Sequence, residues 1–142
     1  MQAFSQKVFL APDMAHHICF FPSTSLARND TLYLLRRDNE LNYEAHAGLS
    51  PNATPMDWPD LYKDGDRQRM LELRRQVDGF TEWYKFMDYG IDMAIKLFSQ
   101  YRNIVTSRLH GFILSQIMRK DCTLVDNSYG KNSSYIKTWY RS

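Results

Sequence analysis

Two side chains able to do ionic and proton chemistry stand close together in "VTSRLHGFILSQIM", Val105 to Met118: Arg108 and His110, with Gly111 directly behind them. A guanidinium is permanently charged and presents a planar fork of N–H donors that matches carboxylate and phosphate. An imidazole titrates near neutral pH and can give or take a proton during a reaction. Both groups can carry positive charge, so together they suit an anionic ligand. Two further clusters carry the same kinds of group. One is Arg36, Arg37, Asp38 and Glu40; the other is Asp126, Asn127, Gly130, Lys131, Asn132 and Ser133.

The three clusters share a position relative to the elements that must hold them. "TLYLL" from Thr31, "NIVT" from Asn103 and "TLV" from Thr123 read as apolar strands, and one cluster directly follows each. Between the last two strands, Gly111–Met118 is apolar on most faces and predicts a helix covered on both sides; "SSYIKTWY" predicts another after a turn at "NSYGKN". Strand, helix, strand at this spacing is a βαβ unit, which implies a parallel sheet with a right-handed crossover. In open parallel sheets, ligands bind beyond the carboxyl ends of the strands, beside helix N-termini whose free N–H groups and dipole favour anions. The fold class is therefore α/β, a Rossmann-like parallel sheet with its candidate site along one edge.

The rest of the chain supplies scaffolding. "KVFLAPDMAHHICFF" reads as a short strand and a short helix over Met14 to Phe20, with Asp13 as its cap, and "PSTSLARND" reads as a linker. From Leu41 to Gly65 no period is visible, and Pro51, Pro55 and Pro59 interrupt any helix. Met70, Leu73 and Val77 lie at i, i+3 and i+7 among charges, the pattern of an amphipathic surface helix. Trp83, Met87, Ile91, Ala94 and Phe98 form a second helical stripe, expected to be core.

Several function classes are excluded or disfavoured. The 142 residues suit a single soluble domain, 44% hydrophobic and 24% charged, and a net charge of +2 without a basic block does not announce nucleic acid. No apolar run approaches the roughly 18 residues needed to span a bilayer, and no leader-like segment opens the chain. The expected location is the cytoplasm, with peripheral attachment to a membrane left open. Cys19 and Cys122 form no CxxC pair and read as reduced thiols. "GKNSS" lacks the first glycine of a phosphate-binding P-loop, because Val125 stands at that position. No metal site is expected: His16 and His17 are adjacent, so on a helix they point about 100° apart. Taken singly, the clusters also have ordinary explanations. Arg36 and Arg37 can pair with Asp38 and Glu40 at the surface, and His110 can be a plain histidine near a helix start.

Taken together, the motifs resemble a known family. "VTSRLHGFILSQIM" followed by "LVDNSYGKNSSYIKTW" is similar to the C-terminal signature of polysaccharide pyruvyl transferases, and "PDMAH", "LYLLRRDNE" and "MDWPDL" match in family order. The resemblance implies the C-terminal lobe of a glycosyltransferase-B-like architecture, in which two Rossmann-like lobes flank a cleft. It further implies transfer of the pyruvyl group of phosphoenolpyruvate to sugar hydroxyls of a surface polysaccharide or exopolysaccharide precursor, lipid-linked or free, as a ketal. No cofactor is implied beyond phosphoenolpyruvate as donor substrate. His110 and Arg108 become the catalytic candidates, His110 for acid/base work or phosphate contact. Arg108 and Arg36 would meet the donor's anionic groups, with Asp126, Asn127, Gly130, Lys131 and Ser133 supporting it from the third strand exit.

The sequence departs from the family pattern in two ways. Residues 1–28 resemble the tail of an N-terminal lobe plus a linker, and 29–142 the donor-side lobe, so the acceptor-binding lobe would have to come from elsewhere. Without it, catalysis by orientation is lost and the chain is expected to be inactive alone. Before the last strand, "RKDCTLVDN" replaces a Gly-x-Pro-His-like run, which implies a looser turn at Arg119–Cys122 and one polar group fewer. Two alternatives stay open: a non-catalytic remnant or anion-binding interaction module of the same fold, and a lobe of a sugar-nucleotide glycosyltransferase.

Overall fold

Among the described residues, three short strands form one parallel sheet in the order β1-β2-β3: β1 (Asn29–Leu34), β2 (Tyr101–Thr106) and β3 (Asp121–Leu124). The computed structural model describes residues 29–47, 53–75 and 80–140 with positions 15, 27 and 49. The strand, helix and linker expected before Asn29 lie outside the described residues apart from Ala15 and Ala27, as does Val77. Leu32 pairs with Ile104 and Leu34 with Thr106, while Ile104 pairs with Cys122 and Thr106 with Leu124. This register ends all three strands at one edge, and the three polar clusters follow there.

The helices are α1 (Tyr43–Ala47), α2 (Asp64–Arg75), α3 (Phe80–Ser99), α4 (Leu109–Ile117) and α5 (Lys131–Trp139), with a 3-10 turn at Trp58–Leu61. α3 packs on β2, and α4 packs on β2 and β3. The core beneath them is Leu32, Leu34, Phe98, Ile104 and Met118. Trp58 stacks on Phe98 with ring centroids 5.9 Å apart, which fastens the 3-10 turn to that core. Burying side chains of this size is the main stabilising contribution, about 1.5–3 kcal/mol each.

Only part of the α3 stripe is core. Ala94 and Phe98 are buried, whereas Met87 and Ile91 are 39% and 47% exposed. A 20-residue helix is about 30 Å long, and a six-residue strand spans about 20 Å. The N-terminal half of α3 therefore runs past the sheet that covers its other half.

The stretch between β1 and α2 is not structureless. It holds α1, then Met56, whose N–H donates to Tyr33 O at 2.9 Å and whose carbonyl accepts from Leu35 N at 2.8 Å. Met56 thus forms a one-residue parallel bridge on the outer side of β1. The turn before β3 is closed despite its lack of proline. Arg119 adopts a left-handed φ of 52°, and Lys120 N donates to Ser115 O at 2.9 Å. Lys120 Nζ also donates to Tyr101 O at 2.8 Å.

Candidate functional site

The site begins with the seat of α4. Gly111 is buried against the sheet, and a Cβ there would lie 2.8 Å from Thr106 Oγ1 and 2.9 Å from Leu34 Cδ2. The glycine lets α4 approach the ends of β1 and β2. Thr106 then bridges the two: its hydroxyl donates to Leu34 O at 2.8 Å and accepts from Arg108 N at 3.0 Å. Arg108 is the residue before the helix, in extended backbone with φ −95° and ψ 119°, so its side chain leaves over the strand ends.

There it meets Asp57, which belongs to the 3-10 turn. Asp57 accepts from Trp58 N at 2.7 Å, and Asp57 N donates to the Asp60 carboxylate at 2.9 Å, a reciprocal cap of the short turn. The same buried carboxylate accepts from Arg108 Nε at 2.8 Å, from Arg108 Nη2 at 2.5 Å and from Arg37 N at 3.1 Å. Burial works to lower the Arg108 pKa, and the hydrogen bonds and charges of Asp57 and Asp38 overcome it and raise it. The guanidinium is charged at any working pH.

Arg108 Nη1 donates outward to Asp38 at 3.0 Å. Asp38 is also gripped by Arg36, through Nε at 2.9 Å and Nη2 at 3.0 Å. Arg36 pairs with Glu40 as well, while Arg37 turns away to Asp60. The expected pairing of Arg36 with Asp38 and Glu40 is therefore present, but Arg37 has a different partner and Arg36 is only 12% exposed. Asp38 is lowered from its ordinary 3.8 to about 2, first by the Arg36 hydrogen bond, with the Glu40 N–H and Arg108 adding to it against burial.

The third exit is stitched to the other two. Asn132 is 2% exposed, and its amide donates to Ser107 O at 2.9 Å and Val125 O at 2.8 Å. Ser107 Oγ in turn accepts from Arg36 N at 2.9 Å. Asp126 accepts from the N–H groups of Asn132 at 3.0 Å and Ser133 at 3.3 Å, so its own carboxylate occupies the N-terminus of α5. Burial pushes its pKa up, but the hydrogen bonds from Ser133, Asn127 and Asn132 hold it below the ordinary value. Asn127 is buried; it accepts from Lys131 N at 2.7 Å and donates to Glu40 at 3.3 Å. Gly130 takes the left-handed φ of 78° that starts α5. Lys131 and Ser133 are exposed at the same edge.

His110 is exposed and sits one residue into α4. It heads the helical face that continues through Ile113 and Ile117. That face, with Trp58, Met87 and Ile91, lines an apolar cavity of about 460 Å³. Arg108 is thus held by Asp57 of the 3-10 turn, while His110 lines the same cavity as Trp58. The structure brings Arg36, Arg108, Asp126 and Asn127 into one hydrogen-bonded edge. It adds Asp57, which sequence reasoning did not single out although Asp-Trp-Pro-Asp has the signature of a capped turn. Among the described residues, no cluster of His, Cys, Asp or Glu could hold a metal ion. No helix among them is long and apolar enough to cross a membrane.

Comparison with known proteins adds independent findings. The family described as polysaccharide pyruvyl transferase matches residues 2–129. EpsO of Bacillus subtilis (strain 168), a protein provisionally named a pyruvyl transferase, is 37% identical over 147 aligned residues, covering 95% of this chain and 44% of EpsO. General stress protein 30 of the same organism is 25% identical over 147 aligned residues, covering 99% of this chain and 38% of that protein. The chain spans less than half the length of both curated relatives. No solved structure shows significant similarity to it.

Proposed function

The chain belongs to the polysaccharide pyruvyl transferase family, and on that premise we propose that its sheet edge is the donor side of a pyruvyl transfer site. The donor is phosphoenolpyruvate and the product a pyruvate ketal on a saccharide. The observation that carries this reading is the convergence of two guanidinium groups, Arg36 and Arg108, on a single carboxylate at the ends of β1 and β2. Such a fork suits the phosphate and carboxylate of the donor.

In the reaction the enol methylene of phosphoenolpyruvate takes a proton and becomes a methyl group. One sugar hydroxyl adds to the neighbouring carbon, and a second displaces phosphate, which leaves with the remaining proton. Arg108 and Arg36 hold the anionic groups, and His110 carries a proton at the mouth of the site. Lys131 steadies the donor from the third exit through its side chain; the backbone after Gly130, expected to help, is already engaged by Asn127 and Asp126. The acceptor is held by a second lobe in a glycosyltransferase-B-like arrangement, supplied in cis or in trans, and turnover requires it.

Calorimetry with phosphoenolpyruvate tests the donor assignment. Binding that weakens by at least tenfold in Arg108→Lys, which cannot reproduce the fork, is expected. Binding of a sugar nucleotide but not of phosphoenolpyruvate would overturn the assignment. Near-native ketal formation by His110→Ala, with the acceptor lobe present, would remove the proton role.

A further inference from the structure

Two carboxylates share Arg108, and they differ in how they are held. Asp57 has 4% of its side chain exposed and accepts hydrogen bonds from Arg37 N and Trp58 N as well as two from Arg108. Asp38 has 45% of its side chain exposed and stands on the solvent side of the same guanidinium. Its Oδ2 accepts one hydrogen bond from Arg36 and one from Arg108, and its Oδ1 accepts from Arg36 Nε and Glu40 N. This is the arrangement in which forked guanidinium groups receive an oxyanion, with a protein carboxylate in the place of a ligand.

We propose that Asp38 is an exchangeable internal anion. Its carboxylate fills the fork between Arg36 and Arg108 until a phosphate- or carboxylate-bearing ligand displaces it, and it thereby restricts the site to anions able to compete. The inference rests on the donor-side reading of Arg36 and Arg108 given above. Both cations keep a second anchor when Asp38 leaves: Asp57 holds Arg108, Glu40 pairs with Arg36, and Arg36 N stays on Ser107 Oγ. The fork therefore survives the exchange. An exposed ion pair contributes little beside a buried one, so Asp38 is the weaker-held of the two carboxylates. Charge gives the exchange its direction. With Asp38 in place, Arg36 and Arg108 face Asp38, Glu40 and Asp57, three carboxylates to two guanidinium groups. An arriving dianion is admitted only as Asp38 swings away. The carboxyl, held near 2, cannot clear the fork by protonation at neutral pH, so rotation of the side chain is the route.

Calorimetry with inorganic phosphate and with phosphoenolpyruvate, on the full chain and on Asp38→Asn and Asp38→Ala, tests this. Both variants are expected to bind phosphate roughly tenfold more tightly than the parent, and Arg36→Met placed on Asp38→Asn is expected to cancel the gain. Equal or weaker phosphate binding by both variants, with circular dichroism unchanged, would overturn the exchange. In the parent chain, a carboxyl-carbon NMR signal of Asp38 that ignores saturating phosphate would also overturn it. Tighter phosphate binding in the variants with no phosphoenolpyruvate binding by any chain would uphold the exchange and remove the donor reading. Equal phosphoenolpyruvate binding by parent and variants would do the reverse.

Discussion

Arg108 meets Asp57 edge-on across 51 residues of chain, with Nε 2.8 Å from one carboxylate oxygen and Nη2 2.5 Å from the other. The pair joins the start of α4 to the 3-10 turn, and Asp57 also caps that turn. The side chain that aims a cation over the strand ends thus also shapes the loop beside it.

Asp57→Asn keeps the shape but halves the acceptor capacity and removes the buried one of the two carboxylates that pair with Arg108. It is expected to cost about 3 kcal/mol of stability. Urea denaturation checks this, and a double-mutant cycle with Arg108→Met should show strong non-additivity.

Gly111→Ala should destabilise by about 1–3 kcal/mol, because its Cβ meets neighbours that cannot withdraw. Leu34 and Thr106 are both 0% exposed, and the Thr106 hydroxyl is engaged with Leu34 O and Arg108 N. A lower melting temperature together with weaker anion binding is the expected pair of results. Unchanged melting would show that α4 does not sit as close as the Cβ test requires.

Asn132→Ala removes two hydrogen bonds and leaves the Ser107 and Val125 carbonyls unsatisfied in a buried place, a loss of about 2 kcal/mol. Asn132→Asp should be worse than Asn132→Ala, since a carboxylate would face two carbonyl oxygens with no hydrogen to give. The order of the two urea midpoints is the measurement.

Acid should loosen this edge before the rest. Asp38 has a folded pKa of about 2 against 3.8 ordinarily, so the unfolded chain binds more protons in that interval. Its stabilising contribution is complete above about pH 4 and is lost as pH falls toward 2. Asp60 and Asp126 are also lowered and act in the same direction. Because Asp38 is nearly half exposed, its share is small and screened by salt. Denaturation midpoints between pH 4 and pH 2 should fall less steeply for Asp38→Asn than for the parent.

Much of this fold is legible in local pattern. β2, α4 and β3 announce themselves because each is a short apolar run bounded by polar residues, and the strand exits follow from the parallel order. Arg36 and Arg108 are legible as a shared site for the same reason. Asp38 and Glu40 are legible as partners of Arg36 by nearness in sequence, but Asp57 as the partner of Arg108 is not. No spacing rule joins Asp57 to Arg108, since the pairing exists only after Met56 has docked on β1 and Trp58 on Phe98. The α3 stripe misleads because periodicity reports an apolar face without reporting how far the sheet beneath it extends. Met87 and Ile91 lie beyond that cover. Asp126 looks like a ligand group in sequence and in the fold serves its own helix.

Met56 occupies the outer side of β1 with two hydrogen bonds, to Tyr33 and Leu35. A neighbouring chain that tried to pair with the Tyr33–Leu35 end of that border would have to peel Met56 away first. Asp57 is the next residue, so the same peeling would draw the carboxylate off Arg108. Edge-to-edge association and loss of the anion fork are therefore one event, and a ligand that stiffens the fork should delay fibre or aggregate growth from this border.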